Sequence, residues 1–307
     1  MTLIEPLPVV DTATHGVHRR PARRWWRRWT WSHRLVAGAF LLWFAAAPYF
    51  VPPSVFAGNW TAARWFDRIS IVDPLAFAET VVASRHVTRQ LVIGVVPTVA
   101  MAVLLGRLFC GWICPLGLVL EMAAAATRRL HPRRQAASPR ASGRSPSHRW
   151  KYAVLAGCLA ASALAATPFF TSLSPINLPF IWRADHAGLA ALLLVGLIVL
   201  EWRYERIFCR SLCPLGALYS LLGRSAWLCV RIEGEERFRC RQCTRDCPMG
   251  IDVMTDHVLA GHDRVVDPEC TRCGSCTDRC YGDLLRIGWR RRRSPSVEAG
   301  DQTPAAT

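Results

Sequence analysis

Lysine is almost absent from this chain of 307 residues. Lys151 is the only one, and arginine supplies the rest of the positive charge behind a formal net charge of +16. The preference for arginine reflects genome composition and indicates no function by itself. Strong positive charge can mark a nucleic-acid-binding protein, but here the arginine clusters flank apolar runs and no nucleic-acid-binding motif is present. We therefore expect no nucleic-acid partner.

Several kinds of segment are also missing. The first apolar run, 35–52, lacks a clear small-residue cleavage site and follows a long basic segment, so we do not expect it to be a secretory signal. The chain has no methionine-rich or histidine-rich tract for handling metal ions, and no DNA-binding or signalling domain. These absences weigh against a metal-delivery protein and against a redox or iron sensor.

Apolar residues and tryptophan, in contrast, are abundant: the chain is 51% hydrophobic and contains 13 Trp. Four apolar segments approach the roughly 20 residues that a membrane-spanning helix needs. These segments are 35–52, 91–109, 152–170 and 187–202. The expected fold is therefore a mainly α membrane protein of two helical hairpins, with four transmembrane helices, followed by a C-terminal α+β ferredoxin-like module.

Arginine lies on one side of the expected membrane. Segment 19–34 carries seven arginines and segment 128–151 carries seven together with its lysine, whereas 172–186 carries only Arg183. Positive residues concentrate in cytoplasmic loops. We therefore expect the protein to lie in the inner membrane, in contact with lipid, with both termini and the ferredoxin module on the cytoplasmic side. The expected divisions are a basic N-terminal segment (1–34), a first hairpin with a Cys-x3-Cys-Pro motif (35–127), a basic linker (128–151), a second such hairpin (152–230), an iron–sulfur module (231–289) and a disordered tail (290–307).

A cysteine motif occurs twice. The stretch FCGWICPLG at 109–117 returns as FCRSLCPLG at 208–216, an offset of 99 residues. Each copy ends an apolar segment, and its proline and glycine favour a turn into a short second helix. The repeat predicts that four thiolates meet at the membrane edge and hold a metal ion or a further cluster; the alternative is that they only pin two helix ends together. The four residues are Cys110, Cys114, Cys209 and Cys213.

The C-terminal segment places three cysteines at the spacing Cys-x2-Cys-x2-Cys, with a fourth after three more residues. In two-cluster ferredoxins such a run wraps a cubane, and the cysteine that closes each run ligates the other cluster. We expect one [4Fe-4S] cluster on Cys247, Cys270, Cys273 and Cys276. Zinc ribbons also use paired Cys-x2-Cys units and are the main rival, but the two closures after three residues favour iron–sulfur.

A second cluster in this segment is incompletely provided for. Its expected ligands are Cys240, Cys243 and Cys280. Arg237 occupies the position at which the ferredoxin pattern has a fourth cysteine. The site could hold a three-iron cluster, use Asp246, recruit Cys229, or hold no cluster. Cys229 and Cys158 both lie in apolar surroundings, which favours packing over metal ligation.

The two motifs and the sequence Cys-Pro-Met-Gly-Ile-Asp at 247–252 resemble the NapH/NosR-type membrane polyferredoxins, which have kinship to the CcoG group. The resemblance covers roughly residues 35–285. It implies a role in passing quinol-derived electrons to respiratory reductases or in maturing metalloenzymes, with the motif cysteines as a paired redox motif and the seven C-terminal cysteines as ferredoxin ligands. NosR-type proteins also carry an N-terminal flavin-binding domain. No segment here could be one, which favours the shorter NapH-like branch.

The expected function is membrane-bound electron transfer through one or two iron–sulfur clusters, from the quinol pool or a cytoplasmic donor to a respiratory or reductase partner. Within an enzyme, the chain would be the electron-transfer subunit of a quinol dehydrogenase-like oxidoreductase. One alternative is an assembly factor that reduces a metal such as copper, because soft thiolates select Cu(I); another is a cluster-based sensor. No catalytic acid or base stands out among the polar residues near the expected membrane edges, which are His33, Asp73, Glu79, His86, Glu121 and His186.

Overall fold

The computed structural model describes residues 9–10, 28–52, 55–58, 61–65, 69–130, 149–174, 187–203, 206–233, 237–238, 240–280 and 284–290. Most of the predicted N-terminal segment, the centre of the predicted linker (131–148) and nearly all of the predicted disordered tail (291–307) lie outside these residues. His186 lies outside them too.

The described part of the chain is mostly helical. Its first half contains β1 (Val9–Val10), α1 (Arg28–Phe50), β2 (Phe56–Gly58), β3 (Ala62–Trp65), β4 (Ile69–Val72), α2 (Pro74–Ser84), α3 (Arg89–Leu105), α4 (Leu108–Trp112) and α5 (Pro115–Leu130). The second half contains α6 (Trp150–Ala165), α7 (Phe169–Leu173), α8 (Ala187–Arg203), a π-helical segment (Phe208–Leu212), α9 (Pro214–Leu222), a 3-10 turn (Gly223–Ser225), β5 (Leu228–Ile232), β6 (Arg237–Phe238), α10 (Gln242–Arg245), a second π-helical segment (Met254–Val258), α11 (Ser275–Asp278) and β7 (Leu285–Trp289).

In the part of the chain that the structure describes, three small sheets accompany the helices. Strands β2, β3 and β4 form an antiparallel meander between α1 and α2. Strands β5 and β7 pair antiparallel, from Leu228 opposite Trp289 to Ile232 opposite Leu285, and so close the two ends of the cysteine-rich module onto each other. Strands β1 and β6 form a short parallel pair.

Prolines mark where several helices begin. Pro74 starts α2 directly after Asp73, and Pro115 and Pro214 start the helices that follow the two cysteine motifs. Proline is tolerated at this position because the first helical amide has no intrahelical partner and its φ is already suitable. The predicted turn into a second helix after each motif is therefore confirmed.

The prediction of four transmembrane helices is wrong. Among the described residues, no helix has both the length and the apolar composition needed to cross a bilayer. Helices α3, α6 and α8 have 17, 16 and 17 residues, fewer than the roughly 20 that a span requires. Helix α1 has 23 residues, but its first two turns read RWTWSHR, so its apolar part is shorter than the helix itself.

Two large hydrophobic cores and one small cluster, around Ala47 and Ala63, organise the described residues. The first joins the helices around both cysteine motifs and includes Leu120, Leu155, Leu197 and Tyr219. The second lies inside the cysteine-rich module. The start of α1 docks on that module, because the Thr30 amide and hydroxyl donate to the Asp278 carboxylate at 2.8 and 2.6 Å.

A half-buried carboxylate joins three segments of the helical part. Glu121 on α5 accepts hydrogen bonds from His33 at 2.9 Å, Arg34 at 2.7 Å and Arg206 at 3.0 Å. Burial alone would raise the pKa of Glu121, but the His33 hydrogen bond and the nearby positive charges lower it to about 2. Glu121 therefore stabilises the packing of α1 and the segment around Arg206 on α5.

We expect Glu121→Gln to destabilise the protein by about 2 kcal/mol near neutral pH. Because the folded-state pKa lies below the ordinary value of 4.5, this contribution is present above pH 4.5 and is lost as the pH falls toward about 2. Thermal unfolding of the wild type and the variant, measured across this range, should show a difference that shrinks with acid. A difference that does not change with pH would mean that Glu121 contributes by packing alone.

Candidate iron–sulfur site

The four motif cysteines come from two places in the helical part. Cys110 lies in α4 and Cys114 between α4 and α5, whereas Cys209 lies in the first π-helical segment and Cys213 precedes α9. The Cys213 Sγ accepts a hydrogen bond from the Gly216 amide at 3.3 Å, which fixes the turn at Pro214. These four residues are called the motif set below.

All four members of the motif set belong to the first hydrophobic core. Burial raises the pKa of the Cys209 thiol to about 12 and raises the pKa of Cys110, and the four sulfurs also act on one another electrostatically. A buried thiol resists ionisation unless a nearby positive charge compensates the thiolate, and iron supplies that charge on binding. The structure therefore brings together four thiols that two separate repeats contribute.

The first predicted cubane has a cavity of its own. Cys247, Cys270, Cys273 and Cys276 all line one cavity in the cysteine-rich module. Apolar side chains complete the lining, including Val230 and Met249. These four cysteines, called the inner set below, are the ones that the ferredoxin spacing predicted, with Cys247 crossing from the earlier run.

The three remaining cysteines also lie together. Cys240, Cys243 and Cys280 belong to the core of the module, and burial, followed by the charges of the other two sulfurs, raises the pKa of Cys243 to about 12. They are called the outer set below. Asp246 pairs with Arg279, the neighbour of Cys280, at 3.1 Å, so a carboxylate stands beside this set.

Two other cysteines have different surroundings. Cys229 is buried in β5 and lies 3.6 Å from the Gly288 carbonyl oxygen on β7. Its electrostatic neighbours are charged side chains, including Arg264 and Arg272. Cys158 is half-buried on α6. Both positions suit packing.

The motif set and the inner set meet at a tight backbone contact. A Cβ added to Gly111, inside the first motif, would lie 2.7 Å from the Thr271 carbonyl oxygen. Thr271 belongs to the loop 270–273 between two cysteines of the inner set, which is called the inner-set loop below. The Trp112 indole nitrogen donates to the Arg272 carbonyl at 3.1 Å. Gly106, with φ +68°, lies against the Arg272 guanidinium, which leaves no room for a side chain. Glycine is needed at 106 and 111 because only a residue without Cβ allows this approach.

A buried ionic cluster holds the same junction. Glu269, next to Cys270, accepts hydrogen bonds from Arg107 at 2.5 Å and from Lys151. Lys151 also donates to the Ser220 hydroxyl at 2.7 Å. Arg107 is 1% exposed and Lys151 is 0% exposed. One carboxylate therefore ties the module to the connection between α3 and α4, to α6 and, through Lys151, to α9. Residue spacing could not predict this cluster because its members are distant in sequence.

The donor chemistry of these sets fits iron–sulfur clusters. Two sets offer four buried or half-buried thiols each, and one offers three. Within the described ranges, no three His, Cys, Asp or Glu side chains converge as closely as the ligands of a single metal ion do. The ligands of a cubane bind four separate irons and therefore stand farther apart than the four ligands of one zinc ion.

Reasoning from the sequence also missed a polar pair inside the helical part. Asp73, directly before α2, is 6% exposed and accepts a hydrogen bond from the Tyr219 hydroxyl at 3.4 Å. Both line a cavity of about 590 Å³. Of the other polar residues near the expected membrane edges, Glu79 is buried and accepts hydrogen bonds from the amides of Phe170 and Thr171.

Comparisons with known proteins agree with this geometry. A family model described as a 4Fe-4S binding domain matches residues 91–134 and 187–233, which contain both cysteine motifs. The ferredoxin-type protein NapH of Escherichia coli K12 is 31% identical over 87% of this chain and 92% of its own length. NapH of Haemophilus influenzae is 28% identical over 90% and 95%. The methylamine utilization ferredoxin-type protein MauN of Methylobacillus flagellatus is 27% identical over 76% and 78%. No solved structure gives a significant match.

The resemblance drawn from the motifs is thus confirmed, and so is the expectation of iron–sulfur clusters. The chain is an iron–sulfur electron-transfer protein. It belongs to the NapH-type ferredoxin family.

Proposed function

We propose that the protein conducts electrons through three cluster sites in a line, from the motif set through the inner set to the outer set. The observation that carries this proposal is the contact of Gly111 with the Thr271 carbonyl, because it places the backbone of the first motif directly against the backbone between Cys270 and Cys273. The inner and outer sets interlock, since Cys247 comes from the same run as Cys240 and Cys243.

The motif set holds a [4Fe-4S] cluster in this proposal. The family model for a 4Fe-4S binding domain matches the two segments that contain its cysteines and does not extend to the C-terminal runs. The inner set holds a second [4Fe-4S] cluster, and the outer set a third, of three irons or completed by Asp246. Such clusters exchange single electrons, and their surroundings tune the potential.

Electrons enter from the quinol pool or a cytoplasmic donor and leave to a respiratory or reductase partner protein. The outer set is the exit, because exposed arginines border it: Arg241, Arg245 and Arg279. A positive rim of this kind steers an acidic partner toward the cluster. NapH and MauN, the relatives named above, carry the description ferredoxin-type.

We further propose that the protein works at the cytoplasmic membrane, with its termini and module on the cytoplasmic side. Large apolar side chains stand exposed on several helices, among them Leu42 at 71% and Leu164 at 89%. A protein that contacts lipid or a permanent partner keeps more large apolar side chains exposed than a typical soluble monomer does. The arginine-rich segments 19–34 and 128–151 support this location, because basic segments are attracted to the anionic lipid of the cytoplasmic leaflet.

Anaerobic purification with iron and sulfide counts, and electron paramagnetic resonance before and after dithionite reduction, tests the proposal. Cys276→Ser and Cys110→Ser should each remove one cubane signal and about four irons per chain. Cys229→Ser and Cys158→Ser are matched controls and should keep the full iron content. Zinc or copper in place of iron would contradict the electron-transfer function. An unchanged iron count in Cys110→Ser would contradict a cluster at the motif set.

A further inference from the structure

The repeated motif contains an arginine as well as cysteines. Arg107 stands three positions before Cys110, and Arg206 stands three positions before Cys209, at the same offset of 99 residues. The turn into the following helix requires no positive side chain at this position, and arginine is not a cluster ligand. The extended repeat, Arg-x2-Cys-x3-Cys-Pro, therefore carries a charge whose purpose the cysteines do not explain.

Both repeated arginines are buried. Arg107 is 1% exposed and Arg206 is 5% exposed. A folded protein almost never buries an arginine completely unless negative groups compensate its charge. The guanidinium is too basic to lose its proton even there. The two motifs therefore hold two permanent positive charges inside the protein.

Arg107 reaches from the first motif to the second. A Cβ added to Gly216 would lie 2.8 Å from Arg107 Nη2 and 3.6 Å from Cys213 Sγ, so this guanidinium and this sulfur border the same small space. Burial lowers the pKa of Arg107, but the negative charges of Cys110 and Glu269 raise it above its ordinary value. The charge of Cys213 acts in the same direction. The Arg107 side chain therefore lies near sulfurs from both motifs.

Arg206 lies near sulfurs of the motif set and of the inner set. Burial lowers its pKa, but the charge of Glu121, followed by those of Cys209 and Cys273, raises it above its ordinary value. Arg206 Nη2 and Glu121 Oε2 are 3.0 Å apart. The second arginine of the repeat therefore approaches the motif set from the other hairpin and extends toward the inner set.

The carboxylates that pair with these two arginines are shared with other cations. Glu269 pairs with both Arg107 and Lys151. Glu121 pairs with Arg206 and also with an arginine of α1. In each case one carboxylate serves two positive side chains. A bound cluster would supply further negative charge, because its four thiolates outweigh the positive charge of its core.

Reduction of such a cluster adds one negative charge to it. A fixed positive charge nearby stabilises the reduced state more than the oxidised state, and it therefore raises the reduction potential. The effect is strong for a buried charge, because the surroundings are weakly polar and dissolved salt does not screen the interaction.

We propose that Arg107 and Arg206 raise the reduction potential of the cluster at the motif set, so that this site accepts an electron from a milder reductant. The inference rests on the proposed function, which places a cluster there, and nothing in the comparisons assigns a role to either arginine. Both side chains act through the charge that they place beside the cysteine ligands, so they are positioning residues. One electron arrives from the donor, and each arginine keeps its proton and neither forms nor breaks a covalent bond.

Anaerobic redox titration followed by electron paramagnetic resonance tests this inference, and the motif-set signal is the one that Cys110→Ser removes. Arg107→Gln should lower its midpoint potential by about 59 mV or more, which corresponds to a tenfold loss in the equilibrium constant for one-electron reduction. Arg206→Gln should shift the potential in the same direction. Arg107→Lys keeps the positive charge and should restore most of the wild-type potential.

Glu269→Gln separates the effect of charge from a loosening of the structure. Arg107→Gln and Glu269→Gln break the same ion pair, but the first variant loses a positive charge and the second loses a negative charge. The motif-set potential should therefore fall in Arg107→Gln and rise in Glu269→Gln. Loosening of the junction alone would move the potential in the same direction in both variants.

Arg89→Gln is the matched control for the loss of a positive charge. Arg89 is exposed at the first residue of α3, whereas Arg107 follows the other end of this helix. A helix of 17 residues spans about 25 Å. Solvent screens an exposed charge within about 8–10 Å at ordinary ionic strength. The motif-set potential should therefore be unchanged in Arg89→Gln.

The inference and the proposed function fail differently. Each of the three charge variants at the junction has its own expected sign, so loss of iron from one of them leaves the other two as the test. A motif-set potential that is unchanged in Arg107→Gln and Arg206→Gln, or that shifts equally in Arg89→Gln, would overturn the inference and keep the electron path. An unchanged iron count in Cys110→Ser would instead overturn the cluster at the motif set, on which the proposed function depends.

Discussion

Replacing Glu269 with glutamine should destabilise the protein by about 3–5 kcal/mol, which is the range found when one partner of a buried ion pair is removed. The carboxylate is the shared partner of Arg107 and Lys151, and both cations are almost completely buried. Without it, two positive charges stay in a poorly solvated junction with no compensating charge from Glu269. Unfolding with denaturant under anaerobic, reducing conditions measures the loss.

Two further variants identify the cause. Glu233→Gln makes the same chemical change at a more exposed ion pair, in which Arg231 Nη2 and Glu233 Oε1 lie 2.7 Å apart. This variant should lose less than about 1 kcal/mol of stability. Adding Lys151→Met to Glu269→Gln removes one of the two uncompensated cations, so the double variant should be more stable than Glu269→Gln alone. Equal losses at the two glutamates would refute the special role of the junction.

Gly111→Ala should destabilise the protein by about 1–3 kcal/mol, although alanine is normally the better helix former. The new methyl would lie 2.7 Å from the Thr271 carbonyl oxygen, which is backbone and has no rotamer to change. The inner-set loop must therefore move away from the first motif. Electrons should therefore pass more slowly between the motif set and the inner set. Single-turnover oxidation of the reduced protein by an external acceptor would detect this change.

Gly157→Ala is the control with the opposite sign. Gly157 lies in α6, and a Cβ there meets no atom within 4 Å. This substitution should stabilise the protein by about 0.5–1 kcal/mol and leave electron passage unchanged. If both alanine variants were stabilising, the contact between the motif and the inner-set loop would be looser than the structure describes.

The cysteine sets were predictable because their ligands are encoded by spacing. The crossing of Cys247 to the run at 270–276 followed from the ferredoxin pattern, and the cavity of the inner set has those four residues in its lining. The grouping of Cys110 with Cys209 was predicted from the repeat, and the structure packs both residues against the first hydrophobic core. Rules of this kind depend on spacing along the sequence, so they can be applied without knowledge of the tertiary fold.

The prediction of four transmembrane helices was wrong for a different reason. A hydropathy profile averages the apolar character of neighbouring residues along the chain, but it does not show where helices begin and end. The run at 152–170 is divided, because Ala166 takes a left-handed backbone and Pro168 precedes the separate helix α7. The run at 35–52 belongs to a helix that starts with charged turns.

The sequence could not show the roles of Asp73, Glu269 and Lys151, although Asp73 was among the polar residues near the expected membrane edges and Lys151 stood out as the only lysine. Each acquires its role from a partner more than 100 positions away: the separation is 146 for Asp73 and Tyr219, and 118 for Lys151 and Glu269. A single acidic residue near an apolar run is most often a solvated anchor. Only the fold shows that these side chains are buried and what they meet.

The unique lysine has a practical consequence. Its amine lies at the junction of the helical part and the module, fully enclosed, and the chain has no second lysine to compete for reagent. Acylation of Lys151 by an amine-reactive ester therefore requires the junction to open. Peptide mapping would separate this modification from reaction at the N-terminal α-amine. The time course of acylation at Lys151 would then report how often the helical part and the module separate in the native protein.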